Sequence, residues 1–443
     1  MQKIAFGKDF LWGCATASFQ VEGATQEGGR SPSIWDTFCN VPGAIKGGDD
    51  GRFAADQYHR YAQDVKLMSE LGFQAYRFSL AWPRILPEGK GRVNKQGIEY
   101  YRNLAKSLHD KGMKVVVTLY HWDLPQVLQD EGGWANRSTA YAFAEYASVC
   151  FAELGDVVDQ WTTLNEPFCA AYLGYLYGEH APGLKDPAQT WKAVHHLNLA
   201  HGLAVQAYRK TGLRAPIGIV LNPSMPRPAT RRHEDVHASE LARAFDTDVF
   251  LHPLLGKGYP LLVTKELGIT YPIEAGDMQI IAQTIDFIGI NYYMEHAVVL
   301  DESQPYHIRN VPVWQRMTDQ DWPIVPFGLL RILRYFSEQT NNIPLYITEN
   351  GCSCKDVVEQ GRVHDYQRCD YLNQHFEMCH RAIEEGINLK GYFIWSFLDN
   401  FEWAWGYEKR FGIVYVDYDT QERIPKDSAY MMRDVIAGYC EYV

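Results

Sequence analysis

The stretch Trp161-Thr162-Thr163-Leu164-Asn165-Glu166-Pro167 has the pattern of a short β-strand with a carboxylic acid at its end. Aromatic and β-branched residues favour a strand, and Pro167 has no N–H group, so strand pairing is predicted to end at Glu166. The stretch Leu345-Tyr346-Ile347-Thr348-Glu349-Asn350-Gly351 repeats this plan. A single glutamate of this kind is more often a solvent-exposed strand end. Two of them on one sheet or barrel can face each other across a cleft, which is the arrangement that glycosidic bond cleavage requires.

Eight strand-like runs, including these two, are spread along the chain. They lie at residues 10–18, 74–82, 114–121, 160–166, 216–222, 285–293, 345–349 and 389–396. The segments between them have helical spacing: in residues 55–71, for example, Tyr58, Val65 and Met68 fall on one face. Three such segments end on a glycine just before a strand, as helices capped by a left-handed residue do; these glycines are Gly72, Gly112 and Gly386.

The alternation of helices and apolar strands predicts a parallel α/β sheet, and eight such units predict closure into a (β/α)8 TIM barrel. Barrels of this type can exceed 400 residues, so we predict one catalytic domain over residues 1–443. A doubly wound sheet is the alternative, but the turn Ala15-Thr16-Ala17-Ser18 lacks its glycine-rich phosphate fingerprint. The long segments 223–284 and 294–344, the second with Trp314 and Trp322, are expected to wall a pocket at the carboxyl ends of the strands.

Composition narrows the classes of partner. The formal net charge of −12 disfavours nucleic acid and anionic membrane surfaces, which attract basic proteins. No run approaches 18 apolar residues and the first ten residues lack a signal-peptide core, so a cytoplasmic location is expected. The nine cysteines show no disulfide framework or zinc-ligand spacing, and Cys352 and Cys354 are the only closely spaced pair. We therefore expect reduced thiols and no metal, and the sequence leaves a homo-oligomer possible.

Polar and aromatic residues accumulate where the predicted strands end. They are Gln20, Glu22, Arg77, Trp82, His121, Trp122, Asp123, Asn165, Glu166, Asn291, Tyr293, Glu349 and Trp395. Each residue alone is more often structural, as a strand-end histidine usually is. Gathered at one face of a barrel, they suit a polyhydroxylated ligand, because every buried hydroxyl needs donors and acceptors.

These motifs resemble those of family 1 glycoside hydrolases, the β-glucosidase and β-galactosidase family, over essentially the whole chain and in the family order. The matching segments are Phe10-Leu11-Trp12-Gly13, Gln20-Val21-Glu22-Gly23, Tyr76-Arg77-Phe78-Ser79 with Trp82, Leu119-Tyr120-His121-Trp122-Asp123, Thr163-Leu164-Asn165-Glu166-Pro167, Asn291-Tyr292-Tyr293, Ile347-Thr348-Glu349-Asn350-Gly351 and Trp395-Ser396-Phe397-Leu398-Asp399-Asn400-Phe401-Glu402-Trp403. The resemblance implies a retaining, exo-acting enzyme that uses neither a metal nor an organic cofactor.

The resemblance also implies a role for each site residue. Glu349 would be the nucleophile, kept ionised by Tyr293 and Arg77, and Glu166 the acid/base, with its pKa raised by the facing anion. Asn165 would hold the sugar 2-hydroxyl and Trp395 would form the floor under the ring. The remaining hydroxyls would be held by Gln20, His121, Glu402 and Trp403, and Asn291 would support the site.

Four positions depart from the common family pattern: Phe168, His252, Phe327 and Cys352. Phe168 and its neighbour Cys169 lie near the expected leaving-group side, so the resemblance does not define the aglycone. Nor does it separate glucose, galactose and fucose, which differ in hydroxyl orientation.

Three other functions compete with this interpretation. A sugar-binding relative without activity would be expected to lack one carboxylate, and both Glu166 and Glu349 are present. A metal-assisted barrel enzyme would use His121 and Asp123 with His195, His196 or His201, but the helical run 194–201 lacks the usual ligand spacing. A phospho-β-glycosidase would have to accept a phosphate where Glu402 stands, and an anion there argues against it.

Overall fold

Eight parallel strands close into a barrel in the computed structural model, which describes residues 6–438. We number them β1 to β8: Leu11–Ala15, Ala75–Ser79, Lys114–Tyr120, Gln160–Asn165, Ile217–Leu221, Phe287–Asn291, Leu345–Asn350 and Leu389–Trp395. Each strand pairs with its neighbours in chain order, and β1 pairs with both β2 and β8. The predicted (β/α)8 barrel is therefore confirmed, and all eight predicted strands are present.

The strands are buried on both faces because helices cover the outside of the barrel. β2, β4, β5 and β6 are buried over their whole length. The longer helices are Gln57–Glu70, Lys95–His109, Ser138–Leu154, Pro187–Thr211, His233–Arg243, Pro326–Gln339, Tyr366–Glu384 and Asp427–Ile436. The shorter α-helices are Ser18–Val21, Ile34–Phe38, Trp82–Ile85, Gln126–Asp130, Val249–Leu254 and Asp277–Ile281. Three π-helical segments, Cys169–Leu176, Ala244–Asp248 and Leu262–Glu266, follow β4 or β5.

The glycines predicted to end helices adopt the expected backbone. Gly72, Gly112 and Gly386 have φ values of 79°, 73° and 85°. Each lies at most three residues after its helix and directly before the chain that enters the next barrel strand, where a left-handed residue satisfies the last helical carbonyls. The helix-to-strand turns are thus encoded locally.

The two long segments after β5 and β6 lie at the carboxyl-end face. Their short strands Arg227–Pro228, Ala297–Leu300 and Ile308–Val311 form a separate three-stranded sheet. Residues from both segments line the main cavity, as expected for pocket walls. Trp322 is among them, whereas Trp314 is 96% exposed and does not line the cavity.

All strands except β7 are shorter than the predicted runs in the sequence. β1 ends at Ala15 rather than at residue 18, because the chain turns there into the helix Ser18–Val21. β4 ends at Asn165, and Glu166 follows with a left-handed φ of 48°. The N–H of Glu166 still donates to the carbonyl of Val220 at 3.0 Å, so main-chain pairing does end at Glu166, as predicted.

Two small two-stranded sheets, Val358–Glu359 with Arg362–Val363 and Val414–Val416 with Arg423–Pro425, complete the described chain. Every helix between residues 6 and 438 is too short or too polar to span a lipid bilayer. Eight cysteines are free thiols, and Cys440 lies outside the described residues. The cytoplasmic location and the possible homo-oligomer stay predictions.

Candidate active site

A cavity of about 680 Å³ opens at the carboxyl ends of the barrel strands. Eight of the eleven site residues predicted from the sequence line it: His121, Glu166, Asn291, Tyr293, Glu349, Trp395, Glu402 and Trp403. Gln20, Arg77 and Asn165 lie behind this lining and hydrogen-bond to lining residues. The predicted residues therefore converge on one site, although three of them are not on its surface.

Glu349 lies at the end of β7 between a cation and a phenol. Arg77 Nη1 is 2.6 Å from Glu349 Oε1, and the Tyr293 hydroxyl donates to Oε2 at 2.6 Å. The register of β7 shifts against both neighbouring strands at this point, and such irregularities re-aim side chains. Burial raises the pKa of Glu349, while Arg77 and Tyr293 act in the opposite direction. The sequence argument identified these two partners but left out burial, which is the largest effect.

Glu166 lies one residue beyond β4 and has different neighbours. Asn291 Nδ2 donates to its Oε1 at 2.5 Å, and the Cys169 thiol donates to its Oε2 at 3.0 Å. Burial, and next the facing charge of Glu349, raise the pKa of Glu166 to about 8. The prediction of a raised pKa attributed it to Glu349, whereas burial contributes more. Because the guanidinium bonds to Glu349 and not to Glu166, Glu349 is the carboxyl of this pair that ionises first.

A chain of amides connects the two carboxyls. Asn165 Oδ1 accepts from Arg77 Nη2 at 2.7 Å and from Asn291 Nδ2 at 3.0 Å. The NH₂ group of Asn165 is therefore a donor, and it lies 3.1 Å from His121 Nε2. This leaves the proton of a neutral imidazole on Nδ1 of His121, and burial lowers the pKa of His121 well below its usual value, so the ring stays neutral.

Four buried polar atoms at the site have no hydrogen-bond partner among the residues described. They are His121 Nδ1, Gln20 Oε1, His180 Nδ1 and Gln320 Oε1. Buried polar groups are normally paired, so unpaired atoms at a cavity suit a ligand that carries its own donors and acceptors. Gln20 Nε2 also lies 3.4 Å from Glu402 Oε2. Burial, and next Glu349 and Glu166, raise the pKa of Glu402 to about 8.

Aromatic rings form one side of the cavity. The ring of His121 stacks near Trp395 and Trp403, with centroids 5.7 and 5.8 Å apart and interplanar angles of 19° and 18°. Trp122 lies 4.6 Å from Trp403, centroid to centroid. Flat apolar faces beside unpaired polar atoms suit a sugar, which has both kinds of surface.

Three strand-end residues named in the sequence analysis are structural and do not line the cavity. Glu22 accepts from Arg84 at 3.0 Å and from the Tyr101 hydroxyl at 2.6 Å. Trp82 Nε1 donates to the carbonyl of Gly89, and Asp123 accepts from the Ser18 hydroxyl at 2.8 Å.

The residues of the metal-assisted alternative are separated. His195 pairs with Asp277 at 2.8 Å, His196 with the carbonyl of Trp134, and His201 with the Thr163 hydroxyl. Within residues 6–438, no group of three or more His, Cys, Asp or Glu side chains is placed to hold a metal ion.

The positions that depart from the family pattern fall in different places. Phe168 and Cys169 line the cavity, and Phe168 stacks on Tyr172 with a centroid distance of 4.6 Å. Cys352 is fully buried, and Phe327 is 44% exposed at the start of its helix. His252 does not line the cavity; it lies 3.6 Å from Asp248.

Asn222 is a lining residue that the sequence analysis missed. It directly follows β5 and its amide donates to Cys169 Sγ at 3.4 Å. The other residues were found by looking for polar side chains where predicted strands end. This strand-end rule would have found Asn222 too, because residue 222 ends the predicted fifth strand. Glu179 and His180, from a loop, and Asp246, from the π-helical segment Ala244–Asp248, also line the cavity and have no such signal.

Comparison with known proteins gives a consistent picture. The model of glycosyl hydrolase family 1 matches residues 2–439. Beta-glucosidase A of Thermotoga maritima is 48% identical, with 97% of each chain covered. The bifunctional beta-D-glucosidase/beta-D-fucosidase of Bifidobacterium breve is 42% identical, with 98% of this chain and 99% of the relative covered. The structure of beta-glucosidase from Thermotoga maritima in complex with deoxynojirimycin matches with a TM-score of 0.96 and 47% identity, over 99% of this chain and 100% of that chain.

Proposed function

Since this chain belongs to glycosyl hydrolase family 1 and is a glycoside hydrolase of the β-glucosidase type, we propose that it releases terminal non-reducing β-D-glycosyl residues with retention of configuration. Glu349 is the nucleophile and Glu166 the acid/base in this proposal. The observation that carries it is the unequal surroundings of two buried carboxyls in one cavity: Arg77 and Tyr293 bond to Glu349, while Glu166 has a pKa raised to about 8.

In the first step, Glu349 attacks the anomeric carbon while Glu166 gives its proton to the glycosidic oxygen. The bond to the aglycone breaks and a glycosyl ester forms on Glu349. Glu166 is then anionic, and the charge of Glu349 is gone. In the second step, Glu166 takes a proton from water, the water oxygen attacks the anomeric carbon, and Glu349 leaves as a carboxylate.

In this proposal, the sugar is held by the polar and aromatic residues around the two carboxyls. We assign the 2-hydroxyl to Asn165 and the floor under the ring to Trp395. Gln20, His121, Glu402 and Trp403 take the other hydroxyls, with Asn291 and Arg77 supporting the carboxyls. The unpaired Gln20 Oε1 and His121 Nδ1 support this assignment, since they supply one acceptor and one donor.

A side activity on β-fucosides and β-galactosides is part of the proposal. A bifunctional relative acts on both glucosides and fucosides by its name. We also propose that residues 1–443 form one catalytic domain, because barrel strands from Leu11 to Trp395 belong to a single closed sheet.

The test separates the two carboxyls by role. Glu349→Ala should be inactive on every substrate, because every glycoside needs the nucleophile. Glu166→Ala should still form the glycosyl-enzyme from a dinitrophenyl β-glucoside, whose leaving group needs no acid, and should then stall. A burst followed by slow turnover is the expected trace in stopped-flow absorbance.

Rescue by azide tests the assignment of the two carboxyls most directly. An anionic nucleophile needs no base, so azide should speed Glu166→Ala and give the β-glycosyl azide, whereas in Glu349→Ala it should give the α-azide by direct displacement. Glu22→Gln is the matched control, since Glu22 is a buried glutamate outside the cavity, and it should respond to azide like the unmodified enzyme. Azides of one anomeric configuration from both variants would overturn the assignment.

Retention itself is checked by proton NMR of the first product. We predict the β-anomer, because two carboxyl groups about 5 to 5.5 Å apart leave no room for an attacking water. Formation of the α-anomer first would contradict the double-displacement mechanism.

A further inference from the structure

Two cysteine thiols lie together in the segment that follows the strand of Glu349. Cys352 Sγ and Cys354 Sγ are 3.9 Å apart without a bond between them. Both residues are buried, with 0% and 6% of their surface exposed. A disulfide has an S–S length of about 2.05 Å, and residues two apart in a fully extended chain have Cα atoms about 6.6 to 7.2 Å apart, at the upper limit of what a disulfide spans. Joining these sulfurs therefore requires the backbone between Cys352 and Cys354 to contract slightly.

The two thiols differ in access and in acidity. Cys354 lines a second cavity of about 770 Å³, together with Lys355, Lys409 and Asp356. This cavity shares no lining residue with the main cavity. The hydrogen bond with Cys352 lowers the pKa of the Cys354 thiol more than burial raises it, and the buried cation of Arg368 also lowers it. Burial raises the pKa of Cys352. The thiol that lines the second cavity is thus the more acidic one, and the thiolate is the form that reacts.

We propose that Cys352 and Cys354 form a peroxide-sensitive dithiol that closes reversibly to an intramolecular disulfide and slows the enzyme when closed. The cavity walls carry both signs of charge, so a small uncharged oxidant such as hydrogen peroxide suits this site better than a charged peptide disulfide.

The chemistry balances in two steps. The Cys354 thiolate attacks one peroxide oxygen, the O–O bond breaks, and a sulfenic acid and hydroxide form; the hydroxide takes the thiol proton and becomes water. Cys352 sulfur then attacks the sulfenic sulfur, the S–O bond breaks, and a second water leaves with the proton of Cys352. Two thiols are oxidised by two electrons in all, and one peroxide is reduced to two waters.

Backbone contacts connect this segment to the wall of the active site. The carbonyl of Ser353 accepts from the N–H of Asp319 at 3.2 Å, and the carbonyl of Cys352 accepts from Arg368 Nε at 3.2 Å. Gln320 and Trp322, just after Asp319, line the main cavity. Drawing the two sulfurs together shifts the peptide groups between them, and with them the wall that these contacts hold.

The test begins with the unmodified enzyme and hydrogen peroxide. Peptide mass spectrometry should show the segment of Cys352 and Cys354 with two hydrogen atoms fewer, and dithiothreitol should restore the original mass. The value of kcat/KM on nitrophenyl β-glucoside should fall by about 3- to 10-fold and recover on reduction, as expected when a supporting loop moves by a fraction of an ångström to an ångström.

Variants locate the effect. Cys352→Ser and Cys354→Ser should each keep their activity in peroxide, whereas Cys369→Ser, a half-buried cysteine on the next helix, should lose activity as the unmodified enzyme does. Added oxygen atoms on either thiol instead of a disulfide would overturn the proposal, as would unchanged kinetics of the closed form. Peroxide inactivation that persists in Cys352→Ser, with oxidation found at Cys169 beside Glu166, would also overturn it.

Discussion

At the level of single residues, the Cys169 thiol is a hydrogen-bonding neighbour of Glu166 that affects its pKa. It donates to Glu166 Oε2 at 3.0 Å and itself accepts from Asn222 at 3.4 Å. A donor to a carboxylate stabilises the anion, so Cys169 lowers the pKa of Glu166 against the stronger effect of burial. Cys169 therefore limits how far the acid/base is held in its protonated form.

Replacing Cys169 by Ala is predicted to extend activity toward alkaline pH. The acid must be protonated, so turnover is lost as pH rises through the pKa of Glu166, and removing a donor to the anion raises that pKa. The basic limb of kcat/KM on cellobiose, whose leaving group needs the acid, should move up by roughly 0.5 to 1 pH unit. Cys169→Ser keeps a donor and should move less. An alkaline limb that stays in place in Cys169→Ala would show that the thiol does not act on Glu166.

Glu402 allows a second prediction at this scale. Glu402→Ser should weaken turnover of unphosphorylated glucosides by roughly 2 to 4 kcal/mol, because sugar hydroxyls are left unpaired in a buried site. The comparison of kcat/KM on nitrophenyl β-glucoside and its 6-phosphate measures this. The phosphorylated substrate should lose less than the plain one, because removal of the anion favours a phosphate. Equal kinetics of variant and unmodified enzyme would remove Glu402 from the sugar site.

At the level of elements, the site residues that the sequence predicts are those at the ends of the barrel strands. Apolar runs between helical segments predict where β4 and β7 lie, and therefore that Glu166 and Glu349 meet at one face. The register shifts beside Glu349 and the left-handed φ of Glu166 have no such signal, because they are set by neighbouring strands that are distant in the sequence. The same holds for burial, which is the main cause of the raised pKa of Glu166.

Loop residues of the cavity were less predictable than strand-end residues. Trp314 and Trp322 lie on the same loop, but only Trp322 lines the cavity, and local sequence does not separate them. Glu22 and Asp123 also show the limit of the strand-end rule: both lie near strand ends, yet each is held by partners outside the cavity. A polar residue at a strand end is thus a candidate site residue, and packing decides whether its side chain lines the cavity.

Substitution of Gly351 tests how tightly the end of β7, the strand that carries Glu349, is packed. A methyl group at this position would collide with the carbonyl oxygen of Trp395 on the neighbouring strand β8. Gly351→Ala should therefore lower the free energy of unfolding by about 2 to 4 kcal/mol and also lower kcat, since Glu349 must shift with the strand. Gly361→Ala is the control, because its φ is 77° and nothing lies within 4 Å of the added methyl; it should cost only about 1 kcal/mol. Urea unfolding of both variants measures the difference, and equal costs would contradict the packing argument.

For the molecule as a whole, buried ionisable groups couple stability to pH in two opposite ways. Burial raises the pKa of Glu166 and Glu402 to about 8 and that of Asp123 and Asp246 to about 7. Burial also lowers the pKa of several histidines below the usual value: His121, His180, His195, His196, His201, His252, His296 and His375. The carboxyls make the folded protein bind more protons than the unfolded chain above about pH 4, and the histidines make it bind fewer below about pH 6.5.

The signs of these two effects define one pH window. The carboxyl contribution to stability is fully present below the unfolded pKa near 4 and is lost as pH rises through the folded values of 7 to 8. The histidine contribution is lost as pH falls below about 6.5, so it opposes the carboxyls only in the acid range. Between about pH 6.5 and 8.5 the carboxyls act alone among these groups, and the melting temperature is predicted to fall across that window.

The isosteric variants Glu166→Gln and Glu402→Gln test this directly, because an amide fills the same space and cannot ionise. Each should be more stable than the unmodified enzyme at pH 8.5 by about 1 to 3 kcal/mol and should show a flatter dependence of Tm on pH from 6.5 to 8.5. Glu131→Gln, at an exposed surface position, should leave that dependence unchanged. The catalytic cavity would then be a net cost to stability at alkaline pH, which these two variants relieve. If Glu166→Gln and Glu402→Gln followed the same pH curve as the unmodified enzyme, the carboxyls of the cavity would not be the groups that titrate in this window.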